Sequence, residues 1–93
     1  MRFLKKFPFK ERPDTAVFSC CHVTEGTSPI LHVTHDEDGD WQFLCGANHT
    51  LEEARLISLK TAYDIDSSIG QLAGIKPGQS ADRDDKESQW IIK

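Results

Sequence analysis

Long apolar runs are missing from this chain of 93 residues, and cysteine is scarce. No stretch approaches the roughly 20 apolar residues that a membrane-spanning helix needs, so we expect no membrane partner. The apolar positions near the start are interrupted by Lys5, Lys6 and Pro8, and we therefore expect no signal peptide. Three cysteines are few and odd in number for a disulfide-stapled secreted domain, which favours free thiols and a cytoplasmic location.

Positive charge is also scarce outside the first few residues. The chain has 11 basic and 15 acidic residues, a net charge of -4. Residues 1–13 hold five of the basic residues and one acidic residue, so the remainder is strongly acidic. An acidic body argues against a nucleic-acid partner, because displacing phosphate counterions requires a dense basic face. We divide the chain into a basic N-terminal arm, residues 1–14, and one domain, residues 15–93.

The first half of the domain has the apolar pattern of β-strands. Strand-like segments cover residues 16–23, 30–35 and 41–45, and residues rich in glycine, proline and aspartate separate them. Asp38-Gly39 is typical of a tight hairpin between the second and third segments. Three strands with short connections predict an antiparallel meander.

The second half predicts short helices. Thr50 and Glu53 match a capping box. Ser58 is suited to cap a helix over residues 59–65, and Asp66 or Ser67 a helix over residues 68–73. Together these elements predict an α+β domain, in which an antiparallel sheet is covered by two short helices. The aromatic residues expected in its structural core are Trp41, Phe43 and Trp90.

Cysteine and histidine concentrate on the predicted strands, which suggests a zinc site. Zinc takes about four nitrogen or sulfur ligands, and side chains from adjacent strands can converge on one ion. Gly46 allows a turn that would bring Cys45 and His49 together, whereas His32 and His35 point to opposite faces of one strand. The predicted ligands are Cys45, His49, Cys20 and His22. The alternative is that the cysteines are small buried residues and the histidines lie on the surface.

Two other chemistries are disfavoured by the sequence. A Cys–His nucleophile needs a lowered thiol pKa and a third orienting group, and the sequence indicates neither, so we expect no enzyme. Asp36, Asp38 and Asp40 imitate the start of a calcium loop, but Ala47 occupies the twelfth position, where glutamate is required.

Acidic residues cluster in a predicted hairpin tip and in a loop near the C-terminus. Burying so many carboxylates without partners is too costly, so both segments should be exposed. Such loops are suited to steer a basic protein partner by charge complementarity. The candidate partner-binding residues are Asp36, Asp38, Asp40, Asp82, Asp84 and Asp85.

The string Trp41–Gly46, together with Pro29–Leu31, Ile57–Leu59, Asp66–Ile69 and Trp90, resembles a family of small bacterial proteins grouped with the immunity proteins of polymorphic toxin systems. The resemblance covers about residues 15–92. It implies an intracellular protein without enzymatic activity that binds and neutralises a partner toxin, and it supplies no catalytic residues.

The sequence therefore predicts two alternative functions. The first is a protein-binding module of immunity type, a monomer or homodimer with an unidentified protein partner. The alternative is a small zinc-binding or thiol-based protein that uses Cys45 and His49.

Overall fold

A computed structural model describes residues 7–47 and 50–93 of the chain. Helices and strands alternate irregularly along it. The strands are β1 (Ala16–Cys20), β2 (His32–His35), β3 (Trp41–Leu44), β4 (Ala54–Ser58), β5 (Gln79–Asp82) and β6 (Ile91–Ile92). The α-helices are α1 (Cys21–Thr24) and α2 (Leu59–Ile65), and 3₁₀ helices cover Leu51–Glu53 and Ser67–Leu72.

The six strands form one mixed sheet in the order β4-β1-β3-β2-β5-β6. The expected hairpin is present, because β2 pairs antiparallel with β3. The expected meander of the first three strands is wrong, because β1 pairs with β3 in parallel, with Phe18 opposite Gln42, and β2 lies beyond β3. The α+β class is confirmed.

The parallel pairing follows from how β1 ends. The sequence predicted a strand over residues 16–23, but Cys20 is extended and the next four residues form a helical turn, closed by a hydrogen bond from the amide of Glu25 to the carbonyl of Cys21. β1 and β2 are thus joined by a longer connection instead of a tight hairpin. The parallel neighbours β1 and β3 require such a crossover.

Capping residues fix the helices where the sequence placed them. The amide of Thr61 donates to the hydroxyl of Ser58 at the start of α2, and the amide of Ser68 donates to the carboxylate of Asp66. Side-chain oxygens at these positions satisfy amides that have no partner within the helix. Both helices pack their buried residues, among them Leu59 and Ile69, on one face of the sheet.

The core lies between this sheet face, the helices and the segment that precedes β1. Trp41 and Phe43 are buried side by side, as the alternation in β3 requires, and Trp90 is half-buried at the core margin. Phe9, which lies in the arm assigned from the charge pattern, is also buried and meets Trp41 edge to face at 5.2 Å. This stretch of the arm therefore belongs to the packed core.

The opposite face of the sheet is largely uncovered. Phe18 on β1 is 46% exposed, and its cross-strand neighbour Leu56 on the edge strand β4 is 64% exposed. In the described ranges, none of the helices has the length and apolar character required to cross a membrane.

Candidate metal centre

Cys20 and His22 are brought together by the change of backbone at the end of β1. Cys20 is the last residue of the strand, and His22 lies in the helical turn that follows directly. Cys20 is fully buried, and the His22 side chain is partly exposed. The thiol of Cys20 thus lies inside the protein, and the imidazole of His22 lies at its surface.

Cys45 arrives at the same place through the parallel pairing of β1 with β3. Since Phe18 is opposite Gln42, Cys20 is level with Leu44, and Cys45 is the next residue along. Parallel strands end at the same edge of a sheet, so residues that follow their carboxyl ends are neighbours. Gly46 then turns the chain with φ +89°, a conformation that favours glycine.

The three side chains form a compact donor set. Cys20 Sγ, Cys45 Sγ and a ring nitrogen of His22 all lie within 4.8 Å of one another. Cys45 Sγ lies 3.8 Å from His22 Nδ1. A tetrahedral zinc ion with its usual bond lengths would hold sulfur and nitrogen about 3.5 Å apart. Small side-chain rotations would therefore suffice for both atoms to bind one ion.

Glu53 lies beside the Nε2 atom of His22, and the sequence did not predict it as part of the site. Its Oε2 is 3.5 Å from His22 Nε2, and its Oε1 accepts a hydrogen bond from the amide of Thr50. Ala54, the next residue, pairs with Cys20 across β4 and β1. The capping box of Thr50 and Glu53 was visible in the sequence, but the strand pairing that carries it to His22 was not.

A carboxylate in this position has a defined effect on a histidine ligand. Metal-binding histidines usually donate their second N–H to a carboxylate or carbonyl, which fixes the tautomer and the ring orientation. With Nε2 directed to Glu53, the Nδ1 atom of His22 keeps its lone pair on the side of Cys45. The pairing thus prepares His22 as a ligand.

A second donor set overlaps the first. Cys21, His22 and Glu53 also have ligand atoms within 4.8 Å of one another, and all three are partly exposed. Because His22 belongs to both sets, the two sets compete for the same imidazole. The set with two thiols, Cys20 and Cys45, is the more buried one.

The thiol of Cys45 is poorly suited to act as a nucleophile. Burial raises the pKa of this thiol above its usual value and outweighs the opposing hydrogen bond with the backbone of Ala47. The protonated thiol is therefore favoured in the metal-free site, whereas nucleophilic cysteines require a lowered pKa. A metal ion would bind here by displacing the protons.

His32 and His35 are not part of the donor set, and His49 lies outside the described residues. His32 pairs with the carboxylate of Asp82 on the uncovered face. His35 is buried against Trp41, and its Nδ1 contacts the carbonyl of Ile75 at 3.0 Å. The predicted ligand His49 lies outside the described residues, so its part in the site stays a prediction.

The acidic candidates occupy two separate places. The hairpin of residues 36–40 follows the end of β2 where His35 pairs with Gln79. The prediction of an exposed loop is wrong for Asp82, which is the partly exposed last residue of β5, opposite His32, and residues 83–85 follow it at the other end of β2. The two groups are thus at opposite ends of the strands, about 10 Å apart along β2.

Several of these carboxylates also have local structural partners. Asp36 accepts hydrogen bonds from the amides of Asp38 and Asp40 in the hairpin, Asp82 pairs with His32 and Lys93, and Asp85 accepts from Ser88. Asp38, Asp40 and Asp84 are exposed. These three are the better placed to meet a partner.

Comparison with protein-family models, with curated proteins and with solved structures finds no match to this chain. The resemblance to immunity proteins therefore stays a prediction.

Proposed function

We propose that this protein binds a zinc ion through Cys20, His22 and Cys45. The observation that carries the proposal is the convergence of two thiols and an imidazole within 4.8 Å, from segments that are distant in sequence. Sulfur donors select soft ions over calcium or magnesium, and an imidazole beside two thiols suits zinc. The fourth position of a tetrahedral ion would be taken by water or by a further donor.

The proposed role of the ion is structural. It would join the end of β1, the helical turn α1 and the segment after β3, all at the carboxyl ends of β1 and β3. A bound metal contributes its binding free energy to folding when the unfolded chain does not form the site. We therefore propose a protein without enzymatic activity, in keeping with the raised pKa of Cys45.

Metal analysis of protein purified without a histidine tag tests this proposal. We expect about one zinc per chain in the wild type and a loss of zinc in Cys20→Ser and Cys45→Ser. Cys21→Ser distinguishes the two donor sets, because it should retain zinc if the buried set is used. His32→Gln is a control for a nearby histidine outside the donor set, since His32 pairs with Asp82. Wild-type protein that takes up no zinc from a buffered solution would contradict the proposal.

A second candidate function, a protein-binding module, is favoured by the uncovered face of the sheet. Phe18, Leu51 and Leu56 are all exposed, and a cavity of about 330 Å³ is lined by Phe18, Leu44 and Leu51. Exposed apolar clusters of this kind often mark interaction sites. The acidic balance of residues 14–93 suits a basic protein partner, which for an immunity-type protein would be a toxin.

Affinity capture followed by mass spectrometry tests this second candidate. A partner that binds through the apolar cluster should be retained by the wild type and lost with Leu56→Asp. Charge reversal then separates the two acidic groups: Asp38→Lys and Asp84→Lys lie at opposite ends of the strands, so one of them should slow association more than the other at low salt. Unchanged association rates in both variants would remove the electrostatic part of the argument.

A further inference from the structure

We propose that Cys20 and Cys45 are a site of oxidative modification: a hydroperoxide joins them in a disulfide, and the disulfide releases the metal. The release of metal rests on the proposed function, whereas the disulfide itself depends on the geometry of the two thiols alone.

The two sulfur atoms are already neighbours. They lie within 4.8 Å of each other. Cys21 is the third free cysteine. A link between adjacent Cys20 and Cys21 would close a strained ring, and Cys21 instead lies with His22 and Glu53. Cys20 and Cys45 are therefore the favoured pair.

The backbone spacing is compatible with a disulfide. Adjacent strands lie about 4.8 Å apart and one residue advances the chain by about 3.3 Å, which places the two Cα atoms roughly 6 Å apart. Disulfides occur with Cα separations of about 4.4–6.8 Å. Because β3 ends at Leu44 and Gly46 turns the chain, Cys45 has freedom to adjust without breaking the strand pairing.

A small oxidant would reach Cys45 first. Both cysteines border a cavity: Cys45 one of about 470 Å³ that is also lined by His32, Gly46 and Asp84, and Cys20 the one of about 330 Å³ beside Phe18. Cys45 is 8% exposed, whereas the surface of Cys20 is completely buried. Cys45 is thus the site of the first oxidation, and Cys20 is the resolving thiol.

The chemistry takes two steps. The sulfur of Cys45 attacks the distal oxygen of the hydroperoxide, the O–O bond breaks, and an alcohol (water from hydrogen peroxide) leaves with the thiol proton, which produces a sulfenic acid. This attack is slow in the metal-free protein, because burial raises the pKa of Cys45 and keeps its thiol protonated. The sulfur of Cys20 then attacks the sulfenic sulfur, the S–O bond breaks and water leaves with the Cys20 proton. Two thiols are oxidised by two electrons, and the peroxide is reduced by two.

Loss of the metal follows from the same bond. Zinc is bound by thiolates, and the formation of a disulfide consumes both thiolates of the proposed donor set. His22 would then be the one remaining ligand of that set, which is too few to retain the ion. Reduction would restore the binding site.

The experiment treats the full chain with hydrogen peroxide, in metal-free and zinc-loaded samples. Remaining thiols are blocked, and the protein is cleaved after glutamate, because Glu25 and Glu37 lie between Cys20 and Cys45. Cys20 and Cys21 stay in one peptide, so fragmentation of that peptide and the Cys21→Ser variant assign the linked residue. We expect the thiol count to fall from three to one, a Cys20–Cys45 linked peptide pair in both samples, and one equivalent of zinc released from the loaded sample. A colorimetric chelator measures the release.

The outcomes separate the two proposals. A linked pair in protein that binds no zinc would support the disulfide and contradict the proposed metal function alone. Zinc binding with sulfinic acid at Cys45, with links between chains or with a Cys20–Cys21 link would overturn the inference and leave the metal function intact. Cys21→Ser should form the link at the wild-type rate, and this variant keeps the test decisive if Cys45→Ser does not fold.

Discussion

At the scale of single residues, Trp41 is a buried side chain with both aromatic and hydrogen-bonding partners. Its indole is stacked on His35 with ring centroids 4.0 Å apart, meets Phe9 edge to face, and donates from Nε1 to Oε2 of Glu11 at 3.1 Å. It therefore links β2, β3 and the segment before β1 through both apolar and polar contacts.

Removing this ring should be severe. We expect Trp41→Ala to lower the free energy of unfolding by about 3–5 kcal/mol, from lost burial and an unfilled cavity. Trp41→Phe should cost less, because most of the apolar contact remains and the hydrogen bond to Glu11 is lost. Urea denaturation followed by circular dichroism measures both values. A loss of less than about 1 kcal/mol for Trp41→Ala would contradict this description of the core.

Glu53 provides the residue-scale prediction for the metal centre. We expect Glu53→Gln to weaken zinc binding by about 10–100-fold while one zinc per chain is still bound at saturation, because the imidazole loses its orienting carboxylate. Competition with a fluorescent chelator measures the affinity. Glu52→Gln is the matched control, since Glu52 is exposed on the same 3₁₀ helix. Equal affinities for the two variants would show that Glu53 does not act on His22.

At the scale of elements, sequence patterns predicted most of the elements and only part of their arrangement. The cap at Ser58 and the apolar spacing after it located α2, and Asp38-Gly39 located the hairpin of β2 and β3, because both signals are local. The pairing of β1 with β3 and β4 is set by contacts between distant residues, which alternation within one strand does not encode. The positions of Cys45 and Glu53 beside Cys20 depend on this pairing, so Glu53 was missed.

The C-terminal elements are held by an ion pair that should make stability depend on pH. Arg83 is buried, donates to the carbonyl of Ile30 and to the carboxylate of Asp66, and stacks on Trp90. Burial acts to raise the pKa of Asp66, but hydrogen bonds from Ser68 and the charge of Arg83 outweigh it and lower the pKa below its usual value.

The sign of the pH dependence follows from this lowered pKa. The unfolded chain binds the proton of Asp66 at a higher pH than the folded chain does, so the stabilisation is present above about pH 4 and is lost as the pH falls through the lower, folded-state value. We expect the free energy of unfolding to fall below pH 4 less steeply in Asp66→Asn than in the wild type. Asp64→Asn is the control, because Asp64 forms an exposed pair with Lys60. Denaturant titrations between pH 6 and pH 3 measure the slopes, and equal slopes for Asp66→Asn and wild type would refute the assignment.

At the scale of the whole molecule, the proposed metal centre lies beside the pairing of β1 with β3. The edge strand β4 is joined to the rest of the sheet through this pairing. The edge strand β4 is paired with β1 alone, and β1 is paired with β3 by one parallel register. An ion bound by Cys20, His22 and Cys45 would reinforce this junction. Its effect should therefore be visible in the stability of the complete domain.

Zinc should raise the melting temperature of the wild type, and the increase should grow with the logarithm of the zinc excess over the dissociation constant. At free zinc about 100 times the dissociation constant, linkage contributes about 2.7 kcal/mol, which corresponds to an increase of roughly 10–20 °C for a domain of this size. Scanning calorimetry in buffered zinc measures the shift. Cys45→Ser should show no increase, and magnesium should have no effect on the wild type. A similar increase in Cys45→Ser would place the ion elsewhere.

The position of β1 between β4 and β3 has a consequence for the order of events during synthesis. β1 precedes both of its neighbours in the chain, and 38 residues separate its last residue, Cys20, from the last residue of β4, Ser58. At the usual 5–20 residues per second, a ribosome needs about 2–8 s to add them. In a nascent chain, β1 would emerge with both edges unpaired, and the β2–β3 hairpin would become available 24 residues after Cys20, at Leu44. The edge of β1 that faces β4 would stay unpaired for the whole interval. The first strand made is thus among the last to be enclosed.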